Sequence, residues 1–217
     1  MSQFEEIGER YGMDFKNAKP WIPPAAIDYY ENLLNEKSRV LEYGAGYSTL
    51  WLAQQGVAEV ISLESDPEWY AALKDQLEDY PNVTLIFAED YHEKNYIPDR
   101  EDHSFDVIMI DGIFRSKCLA KVLNSKLLAE GGVIAYDDAE RRLQGSSQAE
   151  HQADFDSLEN KGFIMNYMPR SNPDPLRIPV QTLFAVSTEK IKKPRKTITK
   201  SQTRGRSVIE KSSTPQE

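Results

Sequence analysis

The sequence predicts an α/β domain on a seven-stranded, mostly parallel sheet, with helices on both faces and the last strand antiparallel. Three observations predict it. Short apolar runs alternate with segments of helical spacing from residue 25 to residue 188, the pattern of a sheet built from strand–helix repeats. The run Phe105-Asp106-Val107-Ile108-Met109-Ile110 is almost wholly apolar, as a strand buried on both faces requires. Successive strands end in acids: Glu42, Glu64, Glu89-Asp90, Asp111 and Asp137-Asp138. In an open α/β sheet, ligands lie outside the carboxyl ends of the strands, so these acids converge on one edge.

The elements follow in order. Pro23-Pro24 mark the start of a helix over 25–34. A first strand covers 39–43, and a helix over 48–55 is closed by Gly56. A second strand covers 59–64. Ser65-Asp66-Pro67 then opens a helix over 68–79 whose buried stripe is Trp69, Ala72, Leu73 and Leu77. The turn Tyr80-Pro81-Asn82 leads to a third strand over 83–88, and a polar stretch over 91–104 leads to the fourth, 105–110. A helix over 115–129 is closed by Gly131-Gly132, and the fifth strand is 133–136. A polar helix over 146–160 precedes strands over 163–168 and 181–187. The loop between those last strands, 169–179, holds four prolines and no helical pattern. The pair is antiparallel, because a parallel crossover needs about a dozen residues or more.

The stretch Val40-Leu41-Glu42-Tyr43-Gly44-Ala45-Gly46-Tyr47-Ser48-Thr49 carries the clearest chemistry. A strand that ends in an acid and turns at once through glycines brings bare backbone close to a ligand. Ser48 or Thr49 caps the helix that follows, whose free N–H groups favour anionic ligand groups. Glu64 ends the next strand, where such a sheet holds a ribose. These features point to a nucleoside-containing cofactor.

With Asp90 and the run 105–111, these residues resemble class I S-adenosylmethionine-dependent methyltransferases, whose fold is Rossmann-like, over about residues 25–188. A nicotinamide site more often shows G-x-G-x-x-G; here Glu42 precedes the glycines and Thr49 stands at the last glycine's place. The resemblance implies S-adenosylmethionine as cofactor. Gly44, Ala45, Gly46 and Ser48 would lie along its methionine portion. Glu42 would face its amino group, directly or through water. Glu64, with Ser65, would take the ribose hydroxyls, since a carboxylate accepts two donors at once. Glu89 and Asp90 would sit beside the adenine, and Asp111 would also bind the cofactor.

Ile110-Asp111-Gly112-Ile113-Phe114-Arg115, followed by Gly131-Gly132 and Asp137-Asp138, is similar to a bacterial subgroup with Asp-Gly-x-x-Arg and Gly-Gly…Asp-Asp elements. That subgroup is often assigned only to small-molecule methylation. Asp111, Asp137 and Asp138 also match the places where catechol-type O-methyltransferases hold a divalent cation, and three carboxylates suit Mg²⁺ or Ca²⁺. Those enzymes usually have Asn where Asp138 stands and a lysine near Arg115. In this reading Asp111 or Asp138 acts as general base, through a pKa raised by crowded like charges. Arg115 holds an anionic substrate.

Other residues carry less. His92, His103 and His151 are scattered, with no metal spacing among them. Cys118 reads as a small buried apolar residue, and Trp21 and Tyr47 as packing or pocket-lining aromatics. Asn172-Pro173-Asp174-Pro175 resembles the motif of amino-group methyltransferases, but that motif belongs after the fourth strand, where this chain has Asp111-Gly112.

The chain has 217 residues, 40% hydrophobic and 28% charged, enough for one domain with a full core. The expected organisation is an N-terminal segment over 1–24, a cofactor-binding domain over 25–189 and a tail over 190–217. The single cysteine excludes an internal disulfide, no apolar run approaches a membrane span, and the acidic N-terminus lacks a signal peptide's apolar core. A cytoplasmic setting fits. The net charge of −9 divides into +7 on the tail and −16 on the remainder. A tail so basic and so poor in large apolar residues is expected to be disordered.

The reading is therefore methyl transfer to oxygen of a small molecule or sugar. Its competitors are an RNA- or ribosome-associated methyltransferase that uses the basic tail, a nicotinamide-dependent oxidoreductase, and a non-catalytic protein that binds the methyl donor. The acceptor and the oligomeric state are not encoded in any recognisable motif.

Overall fold

The computed structural model describes residues 18–96, 104–143, 145–169 and 181–188. His103, residues 172–175, the tail over 190–217 and most of the segment 1–24 lie outside them. The described elements are α1 (Pro24–Leu33), β1 (Arg39–Tyr43), α2 (Tyr47–Gln54), β2 (Glu59–Glu64), α3 (Pro67–Gln76), β3 (Val83–Phe87), β4 (Phe105–Ile110), α4 (Arg115–Leu123), β5 (Leu128–Tyr136), a 3-10 turn (Ala139–Arg142), α5 (Gln148–Asn160), β6 (Ile164–Pro169) and β7 (Gln181–Val186).

One seven-stranded sheet runs in the order β3-β2-β1-β4-β5-β7-β6. The first five strands are parallel, and β7 lies antiparallel between β5 and β6. The expected fold class is met. The order reverses direction between β1 and β4, which places a crevice at their carboxyl ends.

Side chains alternate across the strands, so each central strand feeds two cores. On one face Leu41, Tyr43, Ile108 and Ile110 pack with Cys118, Leu119 and Val122 of α4 and with Phe155 and Leu158 of α5. On the other, Val40, Val107, Met109 and Val133 pack with Ala26 and Tyr30 of α1 and Trp51 and Leu52 of α2. Cys118 is fully buried, as expected.

Two expectations need correction. The helix expected over 115–129 ends at Leu123, and β5 begins at Leu128 rather than Val133. Gly131-Gly132 do not close that helix. They sit inside β5, where the register against β4 jumps from Phe105–Leu128 to Val107–Val133. Gly131 takes a φ of +70° there, as a bulge in a strand asks of glycine. Nor do Ser48 or Thr49 cap α2 from outside. The N-cap is Gly46, whose N–H is accepted by the Thr49 hydroxyl at 2.9 Å.

Candidate functional site

A cavity of about 810 Å³ opens at the carboxyl ends of β1, β2 and β4. Gly44, Ala45, Gly46, Ser48, Glu64, Ser65, Asp111 and Arg115, all candidate site residues from the sequence, line it. The two glycines of the β1 turn differ. Gly44 has a φ of +96°, and a Cβ there would lie 2.5 Å from the backbone of Gly112. It is glycine so that the turns after β1 and β4 can touch. Gly46 has room, with a Cβ falling 3.8 Å from the Trp69 ring, so packing does not demand glycine there. Trp69 closes this side, its indole N–H donating to the Ala45 carbonyl at 2.8 Å.

At the end of β2, Glu64 is 7% exposed, and one carboxylate oxygen accepts the Ser65 and Asp66 N–H groups at 2.6 and 2.7 Å. Burial pushes its pKa up. Glu42 lies behind the cavity wall rather than in it. It is fully buried, and its carboxylate accepts the hydroxyls of Ser48, Thr49 and Ser62. That accounts for the inward turn of the two hydroxyls expected to cap α2. Burial lifts the Glu42 pKa from 4.5 to about 7, against the three hydrogen bonds that lower it. A carboxyl raised on folding stabilises most below its unfolded pKa, and that contribution fades as pH climbs through the folded one. Stability should therefore fall between about pH 4.5 and about pH 7. Glu42→Gln should flatten that part of the profile in urea denaturation measured across the range; an unchanged slope would count against a buried, titrating Glu42.

Glu89 and Asp90 do not line the cavity. The Asp90 carboxylate is taken by Lys94, at 2.6 Å, and by the Tyr96 hydroxyl, and both contacts hold its pKa down. Trp21 and Tyr47 do line the cavity, stacked with centroids 6.3 Å apart.

The aspartates beyond β4 and β5 are organised by arginines. Arg115, 11% exposed at its side chain, reaches Asp111 at 2.8 Å and Asp138 at 3.1 Å. Arg141 meets the same Asp138 oxygen at 2.5 Å. Asp137 accepts the Thr182 hydroxyl at 2.7 Å. Burial pushes the Asp137 pKa well up, and the facing Asp111 adds to this. Burial also raises Asp111, with Arg115 pulling the other way. The expected Mg²⁺ or Ca²⁺ site does not form from these residues. Among the described residues no group of three or more His, Cys, Asp and Glu side chains could hold a metal ion. Arg115 already neutralises the negative charge that Asp111 and Asp138 would offer a metal, so the donor set does not fit one. Asp138, expected as a general base, does not line the cavity and is committed to two guanidinium groups.

No protein-family model matches this chain, and no curated protein matches it either. Solved structures do. An O-methyltransferase from Bacillus cereus in complex with SAH superposes with a TM-score of 0.63 at 17% identity, over 85% of this chain and 89% of that one. The tRNA (m1A58) methyltransferase TrmI from Aquifex aeolicus gives 0.54 at 20% identity, over 87% and 77%. A precorrin-6y C5,15-methyltransferase from Geobacter metallireducens gives 0.53 at 17% identity, over 75% and 87%. The fold is the Rossmann-like methyltransferase fold. The names of these neighbours span an O-methyltransferase, a tRNA methyltransferase and a precorrin methyltransferase, so the methyltransferase fold does not carry the acceptor with it.

On this methyltransferase fold, the wall of the cavity opposite the glycine turn holds residues that sequence reasoning missed. Ser116 of α4 and Ser147, Glu150 and His151 around the start of α5 line it, with Arg141 beside them. The Tyr136 hydroxyl lies 2.6 Å from His151 Nδ1 and 3.1 Å from Asp154 Oδ2. No spacing rule joins Tyr136, His151 and Asp154; the one available sign was that Tyr136 ends a strand directly before Asp137. Two non-glycine residues with left-handed backbone, Phe114 and Asp138, each at φ 53°, sit on the turns after β4 and β5. Non-glycine residues enter that region mainly where surrounding structure holds them there.

Proposed function

We propose that this chain is an S-adenosylmethionine-dependent methyltransferase acting on a small-molecule acceptor, at oxygen of a small molecule or sugar. The observation that carries this is one cavity that joins the β1 glycine turn, Glu64 and Asp111 at the switch point of a methyltransferase fold. Glu64 takes the ribose hydroxyls, the glycine turn and Ser48 follow the methionine portion, and Ser65 and Trp69 flank them. The −16 charge outside the tail favours a cationic sulfonium donor. Because the sulfonium already activates the methyl group, the chain's main task is to align the acceptor with it. Arg115 fixes Asp111 at the boundary between donor and acceptor. The Asp-Gly-x-x-Arg and Gly-Gly…Asp-Asp elements support placement in the bacterial small-molecule subgroup, in a cytoplasmic setting. No described helix is long and apolar enough to cross a membrane. The 1–24 and 190–217 segments flank the catalytic domain in this proposal.

Calorimetry with S-adenosylmethionine and S-adenosylhomocysteine tests the reading; binding of neither removes it. Glu64→Gln keeps an oxygen for the Ser65 and Asp66 amides but replaces the charged acceptor. Hydrogen bonds to a charged group are worth about 1.5–3 kcal/mol, so affinity for S-adenosylhomocysteine should drop roughly ten- to hundredfold. An unchanged affinity would place the ribose elsewhere.

A further inference from the structure

We infer that His151 is the proton acceptor of the transfer, held for that task by a relay through Tyr136 to Asp154. The inference rests on the methyltransferase reading above.

His151 lies in the first turn of α5 and lines the acceptor side of the cavity, with only 7% of its side chain exposed. Its Nδ1 faces the Tyr136 hydroxyl at 2.6 Å, and its Nε2 makes no hydrogen bond among the described residues. Tyr136 is fully buried at the end of β5, with its hydroxyl also 3.1 Å from Asp154 Oδ2. That same Asp154 oxygen accepts the Ser116 hydroxyl at 2.5 Å. Tyr136 has one proton and two candidate acceptors. Given to Asp154, it ends on a charged acceptor at 3.1 Å, and the shorter 2.6 Å contact is left for His151 Nδ1–H. His151 Nδ1–H then donates to the Tyr136 oxygen, every member is satisfied, and each bond polarises the next. That arrangement leaves the Nε2 lone pair bare and directed away from the relay.

The groups around the ring keep it neutral before the reaction. Burial lowers the His151 pKa below its usual 6.5. Arg141 and Arg115 add to the lowering, while Asp154 and Glu150 oppose it. A neutral imidazole near its working pH is the common general base. In the step, an acceptor O–H breaks and its proton passes to Nε2. The oxygen lone pair forms the new bond to the methyl carbon. The carbon–sulfur bond breaks with its electron pair going to sulfur, which becomes the neutral thioether. The imidazolium is stabilised through Tyr136 by the Asp154 carboxylate and returns its proton to water at the cavity mouth. The relay differs from a serine-protease triad in placing a tyrosine between imidazole and carboxylate, but the division of labour is the same.

Two measurements on the full chain saturated with S-adenosylhomocysteine test this without the natural acceptor. Long-range proton–nitrogen NMR on histidine-labelled protein should find His151 neutral at pH 7 with its proton on Nδ1. Tyr136→Phe, which keeps the ring and removes the relay oxygen, should move that proton to Nε2. A wild-type proton on Nε2, or an imidazolium at pH 7, overturns the inference. The second probe is 4-nitrophenol, whose ionisation is visible by absorbance. The wild-type complex should raise its phenolate fraction over free solution at the same pH, and His151→Gln should lose that rise. No rise in the wild type, or equal rises in both proteins, overturns the proton-acceptor role. Failure of S-adenosylhomocysteine to bind at all would strike the methyltransferase reading, whereas binding with the wrong tautomer strikes only the relay.

Discussion

Arg115→Met is expected to cost the fold about 3 kcal/mol, the low end of the range for breaking a buried ion pair. The low end applies because Asp111 and Asp138 keep 31% and 23% of their side chains open to water. Methionine fills a similar volume but leaves two carboxylates close together, with Asp137 beside Asp111 and, among the described residues, Arg141 left to offset them. The loss should shrink as pH falls, because protonation removes the repulsion that the missing guanidinium had masked. Urea denaturation of both proteins at neutral and acidic pH checks this. A loss of equal size at both would show that Arg115 acts through packing of its stem and not through its charge. Arg115→Lys should recover part of the loss, since a single ammonium cannot bridge both aspartates as the guanidinium does.

Gly44→Ala should be at least as damaging, at roughly 3 kcal/mol, since it combines a disfavoured backbone angle with overpacking. The angle is +96°, and the added methyl meets the backbone of Gly112, which no rotamer change can move aside. Gly46→Ala, two residues on, should stay within about 1 kcal/mol of the parent, because its methyl meets only the Trp69 ring at ordinary distance. Affinity should show a different pattern. Gly46→Ala should fold and yet bind S-adenosylhomocysteine more weakly, because Gly46 and the Trp69 ring that its methyl would meet both line the cavity. Thermal melts paired with calorimetry separate the two effects. Gly46→Ala with undiminished affinity would remove the backbone approach from the cofactor assignment.

The parallel strands were legible because burial on both faces writes itself into sequence as unbroken apolar runs, as at 105–110. The antiparallel finish was legible because eleven or so proline-rich residues cannot carry a parallel crossover. Gly131-Gly132 misled because glycine ends helices and bends strands with equal ease, and only the register against β4 tells these apart. The glycine-turn wall of the cavity was readable because the β1 turn supplies most of it from consecutive residues. The surroundings of α4, α5 and the aspartates were not. Their bonds join Ser116 to Asp154 and Thr182 to Asp137, 38 and 45 residues apart, and such pairs leave no local pattern. The metal expectation failed for a related reason. Three aspartates are visible in sequence, but the reach of Arg115 and Arg141 into them is not.

The position of β7 has a consequence for how the molecule assembles. It is the last described strand in the chain yet stands inside the sheet, with β5 on one side and β6 on the other. β6 pairs with no other strand among the described residues, so it has no described partner until β7 arrives. The half of the sheet from β3 to β5, which has a long-range pair of its own in β1–β4, needs no residue beyond Tyr136. The other half must wait for one late, long-range insertion, the kind of step that slows folding. Until then the residues of β5 from Val133 to Tyr136 present an apolar open edge, and Tyr136, the centre of the inferred proton relay, is the residue at the end of that edge.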